Sequence, residues 1–162
     1  MATFSAITSG WVWGAQGRMQ QNNAAPTASS WVDPATPMHA LQTKSLVDHR
    51  SFDLVFSDEF SVEGRTFADG HDPRWTALHK NDYTNTALQF YDRDKVSTNG
   101  GYLNITTTAE TTRFLAQNDR TLKYKMTTKN FKSGMVQSWN KFCFTGGIVE
   151  VRAKLPGKKC QT

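Results

Sequence analysis

The chain has few of the features that would settle its chemistry quickly. Only two of its 162 residues are cysteine, Cys143 and Cys160. That is too few for a disulfide scaffold, and their spacing fits neither a zinc site nor a redox motif. The four histidines, His39, His49, His71 and His79, fall in loop-like sequence without ligand spacing, so no metal site is expected. No glycine-rich phosphate loop and no nucleophile elbow is present, and no cofactor is implied. Apolar runs stay far below the 18 or more residues of a membrane-spanning helix. Met1 to Gly17 lacks a basic n-region and makes a poor signal peptide. Sustained 3.6-residue periodicity is missing, as is any internal repeat, which excludes helical bundles and solenoids.

What is present is alternation. From Val149 the apolar side chains Val149, Val151, Ala153 and Leu155 interleave with Glu150, Arg152 and Lys154, the pattern of a half-buried antiparallel strand that Pro156 ends. Met135 to Trp139 reads as its partner across Asn140 to Gly147, giving a long hairpin reversed at Gly146-Gly147. Ser51 to Ser57 is a strand with Phe52, Leu54 and Phe56 on one face. Ala87 to Asp92 and Lys95 to Thr98 are short strands. Asn99-Gly100 signals a hairpin, and Tyr102 to Thr107 returns with Leu103 and Ile105 on one face. Thr108 to Lys132 reads as an insertion holding one ragged strand or hairpin. Trp31 to Pro37 is an extended lead-in, since residues before proline avoid the helical region. Residues 1–30 are rich in Ala, Gln, Asn, Ser and Thr and are expected to be disordered or loosely packed.

The net charge of +5 conceals an asymmetry. Residues 1–50 carry three basic and two acidic side chains, 51–110 carry five and ten, and 111–162 carry eleven and two, for sums of +1, −5 and +9. A basic third can serve an anionic surface. Its lysines alternate with threonine and apolar residues instead of forming a run, so no nucleic-acid partner is expected. The simpler reading pairs acidic and basic segments within one fold.

The run Gly134 to Gly157, with Leu54-Val55-Phe56-Ser57-Asp58-Glu59-Phe60 and Gly64-Arg65 upstream, resembles the fungal-type β-glucan synthesis-associated proteins, a branch of glycoside hydrolase family 16. Ser138-Trp139-Asn140-Lys141-Phe142-Cys143-Phe144 is the most specific part of the match, which covers Trp31 to Gly157. The resemblance implies an all-β fold, an antiparallel β-sandwich of the jelly-roll, concanavalin-like kind. It implies a glycosidase or transglycosylase domain serving cell-wall or storage β-glucan assembly, with β-glucan as the partner polysaccharide. The setting it implies is the secretory pathway or the cell-surface membrane; relatives usually carry a membrane anchor upstream. Family 16 domains often hold a structural calcium, to which no residue here is assigned.

Retaining glycosidases need two carboxylates roughly 5 to 5.5 Å apart. In the family they sit on a Glu-x-Asp-x-(x)-Glu strand shortly after the segment matching Lys154-Leu155-Pro156-Gly157, and the sequence stops at Thr162. No catalytic residue is assigned. The expectation is an incomplete sandwich over 31–157, a divergent tail over 158–162, and no turnover of glucan by these residues. A non-catalytic carbohydrate-binding or scaffold protein, or a truncated product, is the competing reading. Glu59 and Glu63 are four apart but lack the central Asp. Asp58 and Glu59 point to opposite faces if extended, and Asp92 with Asp94 reads as turn chemistry.

Sugar recognition needs an apolar ring face beside amides and hydroxyls. Trp139 with Gln137 fits if Met135, Gln137 and Trp139 share a face; core packing of Trp139 is the alternative. By resemblance, Asn85, Gln89 and Tyr91 line the non-reducing side of the cleft, although the family's acidic residue there is replaced by Ala87 or Gln89. Asn104-Ile105-Thr106 is an N-glycosylation sequon. Cys143 and Cys160 can pair in a secretory setting or remain thiols.

Overall fold

A computed structural model describes residues 3–15, 31–81, 87–117 and 121–155, with side chains of the first segment described for 10–14. The chain is all-β, built of curled antiparallel sheets as in a β-sandwich, with short 3-10 turns at Met38–Ala40 and Arg93–Lys95. Its strands are β1 (Thr3–Ala15), β2 (Gln42–Lys44), β3 (Ser51–Asp58), β4 (Thr76–Ala77), β5 (Lys80–Asn81), β6 (Gln89–Tyr91) and β7 (Val96–Asn99). They continue as β8 (Tyr102–Thr108), β9 (Thr112–Gln117), β10 (Tyr124–Lys129), β11 (Phe131–Ser133), β12 (Val136–Gln137) and β13 (Gly147–Lys154). A nine-stranded sheet runs in the order β2-β3-β1-β8-β11-β6-β5, with β13 added to β1 and β7 to β8. All its pairings are antiparallel except β11 with β6. Two-stranded sheets β9-β10 and β4-β12 complete it.

The strand at the centre comes from the segment expected to be loosely packed. β1 has β13 along one edge and β3 and β8 along the other: Trp11 lies opposite both Glu150 and Ser57, and Ile7 opposite both Ala153 and Leu103. Composition concealed this because two tryptophans among small residues suffice as anchors. Trp13 is 2% exposed and packs with Phe52 and Leu54, and its Nε1–H is satisfied by the carbonyl of Ala40 at 2.9 Å. Burying such a side chain contributes on the order of 1.5–3 kcal/mol. Residues 16–30 and the tail 158–162 lie outside the described residues.

β3 follows its alternation, with Phe52, Leu54 and Phe56 buried. A second cluster gathers Phe60, Phe67, Ala77, Val96 and Leu103, with Trp75, Ile105 and Val136 against it. Leu103 and Ile105 thus share a face as their spacing requires. The β7-β8 hairpin forms one residue later than its sequence signal: Asn99 pairs with Tyr102, and Gly100 and Gly101 take the turn at φ 63° and 74°. That register turns Thr98 and Leu103 inward together. The insertion after Thr108 holds the β9-β10 hairpin.

Two expectations for the carboxyl-terminal third are overturned. β12 and β13 do not form a hairpin; β12 pairs with β4, and β13 pairs with β1. Phe142 on the intervening loop packs on Phe56 at 4.8 Å and Trp31 at 5.6 Å, which seats that loop away from a simple reversal. Gly147 permits close approach instead of a turn, because a Cβ there would lie 2.0 Å from the Trp13 carbonyl oxygen. Nor is β13 half buried: Val149 and Val151 are 56% and 55% exposed. Trp31 to Pro37 is likewise not an extended lead-in. It turns at Asp33, whose Oδ1 accepts from the Ala35 N–H at 2.9 Å while its carbonyl accepts from Thr36.

Candidate functional site: an aromatic cleft over a buried ion network

The exposed site is built on β12. Val136 pairs with Ala77 and packs on the second core cluster, which leaves Gln137 beside Thr76. The strand ends there. Backbone N–H groups of Lys141 and Phe142 both donate to the Ser138 carbonyl, and Asn140 adopts a positive φ of 60°. The chain therefore turns back, driving Phe142 inward and leaving Trp139 outside at 73% exposure. Trp139 is not a core residue. With Gln137, Asn140, Lys141, Asp69 and Thr76 it lines an open cleft of about 300 Å³. An indole face surrounded by two amides, a hydroxyl, a carboxylate and an ammonium group matches what a polyhydroxylated ring requires. Met135 is not among the lining residues.

The other sequence-derived contacts lie elsewhere. Gln89 and Tyr91 occupy one face of β6, and Gln89 Nε2–H donates to Tyr91 Oη at 3.4 Å. Phe90 between them packs against His79 and Phe114. Neither Gln89 nor Tyr91 lines the Trp139 cleft. Asn85 lies outside the described residues, as does Cys160; Cys143 is an exposed free thiol. Asn104 is partly exposed on β8, where its Nδ2 donates to the Asn99 and Tyr102 carbonyls at 3.4 and 3.3 Å.

Tied to the cleft through Lys141, whose Nζ donates to the Asp72 carbonyl, is a buried network that sequence reasoning did not anticipate. Arg65 donates from Nη1 and Nη2 to the two oxygens of Asp58 at 2.7 and 2.9 Å, and from Nε and Nη2 to Asp72 at 3.1 and 2.8 Å. Trp75 Nε1–H adds a bond of 2.7 Å to Asp58, which is 0% exposed. The guanidinium also lies over the Phe60 and Phe67 rings, 5.6 and 5.1 Å from their centroids. Burial pulls the Arg65 pKa down; hydrogen bonds to Asp58 and Asp72, and then their charges, outweigh it and raise the group above its ordinary value. Asp58 and Asp72 therefore share one arginine as structural anions. The Asp58…Arg65 pair stood inside the motif quoted above, but nothing in its spacing marked an ion pair.

The glutamates set aside earlier have structural partners. Glu59 Oε1 accepts from Trp11 Nε1–H at 2.6 Å and Thr36 Oγ1–H at 2.9 Å, whereas Glu63 accepts the Gly100 N–H at the β7-β8 turn. Asp58 and Glu59 thus do address different surroundings. Asp92 caps the second 3-10 turn through the Asp94 N–H and binds Lys132 Nζ at 2.9 Å. Burial would raise the Asp92 carboxyl; the Lys132 hydrogen bond, the Asp94 N–H and the charges of Lys132 and His79 hold it below its usual value. Among the described residues no group of three or more His, Cys, Asp or Glu side chains is placed to hold a metal ion. No helix among them is long and apolar enough to cross a membrane.

Comparison with known proteins turns this geometry into a family. The sequence matches the family described as beta-glucan synthesis-associated protein SKN1/KRE6/Sbg1 over residues 11–162. It is 42% identical over 128 residues to the beta-glucan synthesis-associated protein KRE6 of Saccharomyces cerevisiae, covering 79% of this chain and 16% of that relative. Identity to SKN1 of the same yeast is 42% over 137 residues, 85% of this chain and 16% of the relative. SKN1 of Candida albicans is 42% identical over 129 residues, covering 80% and 16%. The chain thus spans about a sixth of the length of the curated relatives it matches. No solved structure matches. The match begins at Trp11, inside the central strand, and takes in the ion network and the Trp139 turn alike: the chain belongs to the SKN1/KRE6/Sbg1 family of beta-glucan synthesis-associated proteins.

Proposed function

We propose that this chain serves β-glucan synthesis as a glucan-contacting part of a family 16-type glycosidase or transglycosylase domain, working in the secretory pathway or at the cell surface on wall or storage glucan. The observation that carries this reading is the exposed Trp139 indole beside Gln137 and Asn140 in an open cleft. A pyranose ring presents a face of C–H groups that stacks on indole, while its rim of hydroxyls meets the two amides and Thr76. Tyr91 and Gln89 extend the reading to a second contact on β6.

Contact is all that these residues supply. Glu59 and Glu63 are committed to Trp11, Thr36 and the Gly100 N–H, and the Asp58 and Asp72 carboxylates are held in the interior by Arg65. Cleavage by the retaining route would need two carboxylates facing the sugar, and Asp69 is the single carboxylate lining the cleft among the described residues. The 162-residue chain is therefore expected to bind glucan without releasing reducing ends.

Titration of the chain with β-1,3- and β-1,6-linked glucans, followed by calorimetry, tests the reading. Saturable binding to at least one of them is expected, weakened about tenfold by Trp139→Ala, the loss of roughly 1.4 kcal/mol of stacking. Unchanged affinity in that variant would remove the cleft from the argument. Release of reducing sugar by the purified chain would overturn the assignment of binding without cleavage.

A further inference from the structure

We propose that the β9-β10 hairpin is a docking element for an anionic lipid surface. This rests on the hairpin alone and not on the glucan reading. Its two faces are chemically distinct. The register pairs Leu115 with Met126, Arg113 with Thr128 and Gln117 with Tyr124, and all six side chains are exposed. Leu115, Tyr124 and Met126, with Leu122 at the turn, are between 59% and 69% exposed, so four large apolar side chains stand in solvent on one small ribbon.

The opposite face is already satisfied. Phe114 packs on Phe90 with centroids 5.1 Å apart, and Lys129 Nζ donates to the carbonyls of Ala87 and Gln89 at 2.6 and 2.9 Å. The hairpin is thus seated on β6 by its inner face, and its outer apolar side chains are exposed. Arg113 stands on the same face as Leu115, Lys123 follows Leu122 at the turn, and Lys125 stands on the other face across from Ala116; all three are exposed and without a carboxylate partner among the described residues. Over 112–129 the sequence carries five basic residues against one acidic, Asp119.

Cations around an exposed apolar face are the chemistry of an interfacial anchor. The apolar groups enter the boundary between headgroups and acyl chains while long cationic side chains reach lipid phosphates. Charge complementarity makes that surface anionic. A folded acidic protein is less well matched: the exposed apolar side chains of the ribbon project from it, and a fluid interface accommodates projecting groups without a complementary shape.

The test is co-sedimentation of the full chain with vesicles of phosphatidylcholine alone and of phosphatidylcholine mixed with phosphatidylserine. Binding to the mixed vesicles is expected, with little to the neutral ones and a steep loss at ~1 M salt. Replacing Arg113, Lys123 and Lys125 by Gln should lower partitioning roughly fivefold per cation removed. A second variant, Leu115→Ser with Tyr124→Ser and Met126→Ser, should lose binding while its thermal transition stays in place, since these side chains are exposed. No sedimentation with either vesicle, equal binding to both, or full binding by the serine variant would overturn the proposal. So would capture by immobilised polyglutamate without vesicle binding, which would identify an acidic protein partner.

Discussion

Replacing Arg65 by Met removes one cation from between two carboxylates and is the most informative single change in the core. The side chain is 13% exposed and makes four charge-assisted hydrogen bonds, two to Asp58 and two to Asp72. Asp58 would keep the Phe60 N–H and Trp75 Nε1–H but face no positive charge in a site with no solvent exposure. Each charge-assisted bond is worth about 1.5–3 kcal/mol net, yet the four act on one group and do not add. The measured cost of breaking a buried pair, about 3–5 kcal/mol, is the better guide. Folded domains hold roughly 0.05–0.15 kcal/mol per residue, so for this length the loss takes from about an eighth to more than half of the total. Urea unfolding followed by tryptophan emission measures it, with Trp75 as a local reporter. Arg65→Lys should recover only part, since an ammonium cannot reproduce the fork across Asp58 or stack on Phe60 and Phe67. Adding Asp58→Asn to Arg65→Met should cost less than the two single losses together, because the second change removes the charge stranded by the first. A loss below about 1 kcal/mol for Arg65→Met would refute the buried-pair argument.

Gly134→Ala should destabilise by about 1–3 kcal/mol, since its Cβ would meet the Lys95 carbonyl oxygen at 2.5 Å and Val96 Cγ2 at 2.6 Å. Gly146→Ala, with nothing within 4 Å, should shift the midpoint far less in the same urea titration. Asp92 has its pKa lowered in the fold, so its pairing with Lys132 stabilises above the ordinary carboxylate range and is lost as pH falls through that range. Thermal melting of Asp92→Asn against the parent chain between neutral and acid pH should show the difference shrinking toward acid. Lys132, raised chiefly by its hydrogen bond to Asp92, sets the opposite limit, its contribution fading only as pH passes above the usual lysine value. Asn104, expressed in a glycosylating host, should give a mass shift removed by Asn104→Gln; no shift would mean that the sequon goes unused.

Period was legible in the sequence, and partnership was not. The alternation at Phe52, Leu54 and Phe56 and the paired glycines near Asn99 located β3 and the β7-β8 hairpin, because burial parity and positive φ are local demands. The same alternation identified β13 as a strand but could not say that β1 lies beside it instead of β12. Which strand pairs with which depends on contacts distant in sequence, and β1 offered only Trp11 and Trp13 as signals. Extending the β12 pattern to Trp139 also failed to fix its environment, since the strand stops at Gln137 and the turn at Asn140 resets which side faces out. Trp139 and Gln137 could be named in advance, whereas Asn140 enters the cleft through the turn it makes. Asp69, Thr76 and Lys141 could not be named, because they arrive from another loop and from the far side of the turn.

Core and cleft are one construction, joined through Asp72. Its Oδ2 accepts from Arg65, its Oδ1 takes the N–H groups of Arg74 and Trp75, and its carbonyl accepts from Lys141 Nζ at 2.6 Å. The buried arginine therefore fixes the loop between Phe67 and Trp75, and that loop carries Asp69 to the cleft and leads into Thr76 on β4. Lys141 ties the Trp139 turn to the same loop from the other side. A cleft with lining drawn from two segments more than sixty residues apart needs such a tie to keep its width, since loops alone are the least stable parts of a fold. The family motif around Asp58 and Arg65 and the motif around Trp139 thus have one physical reason to occur in the same chain: the first holds in place the ground on which the second stands.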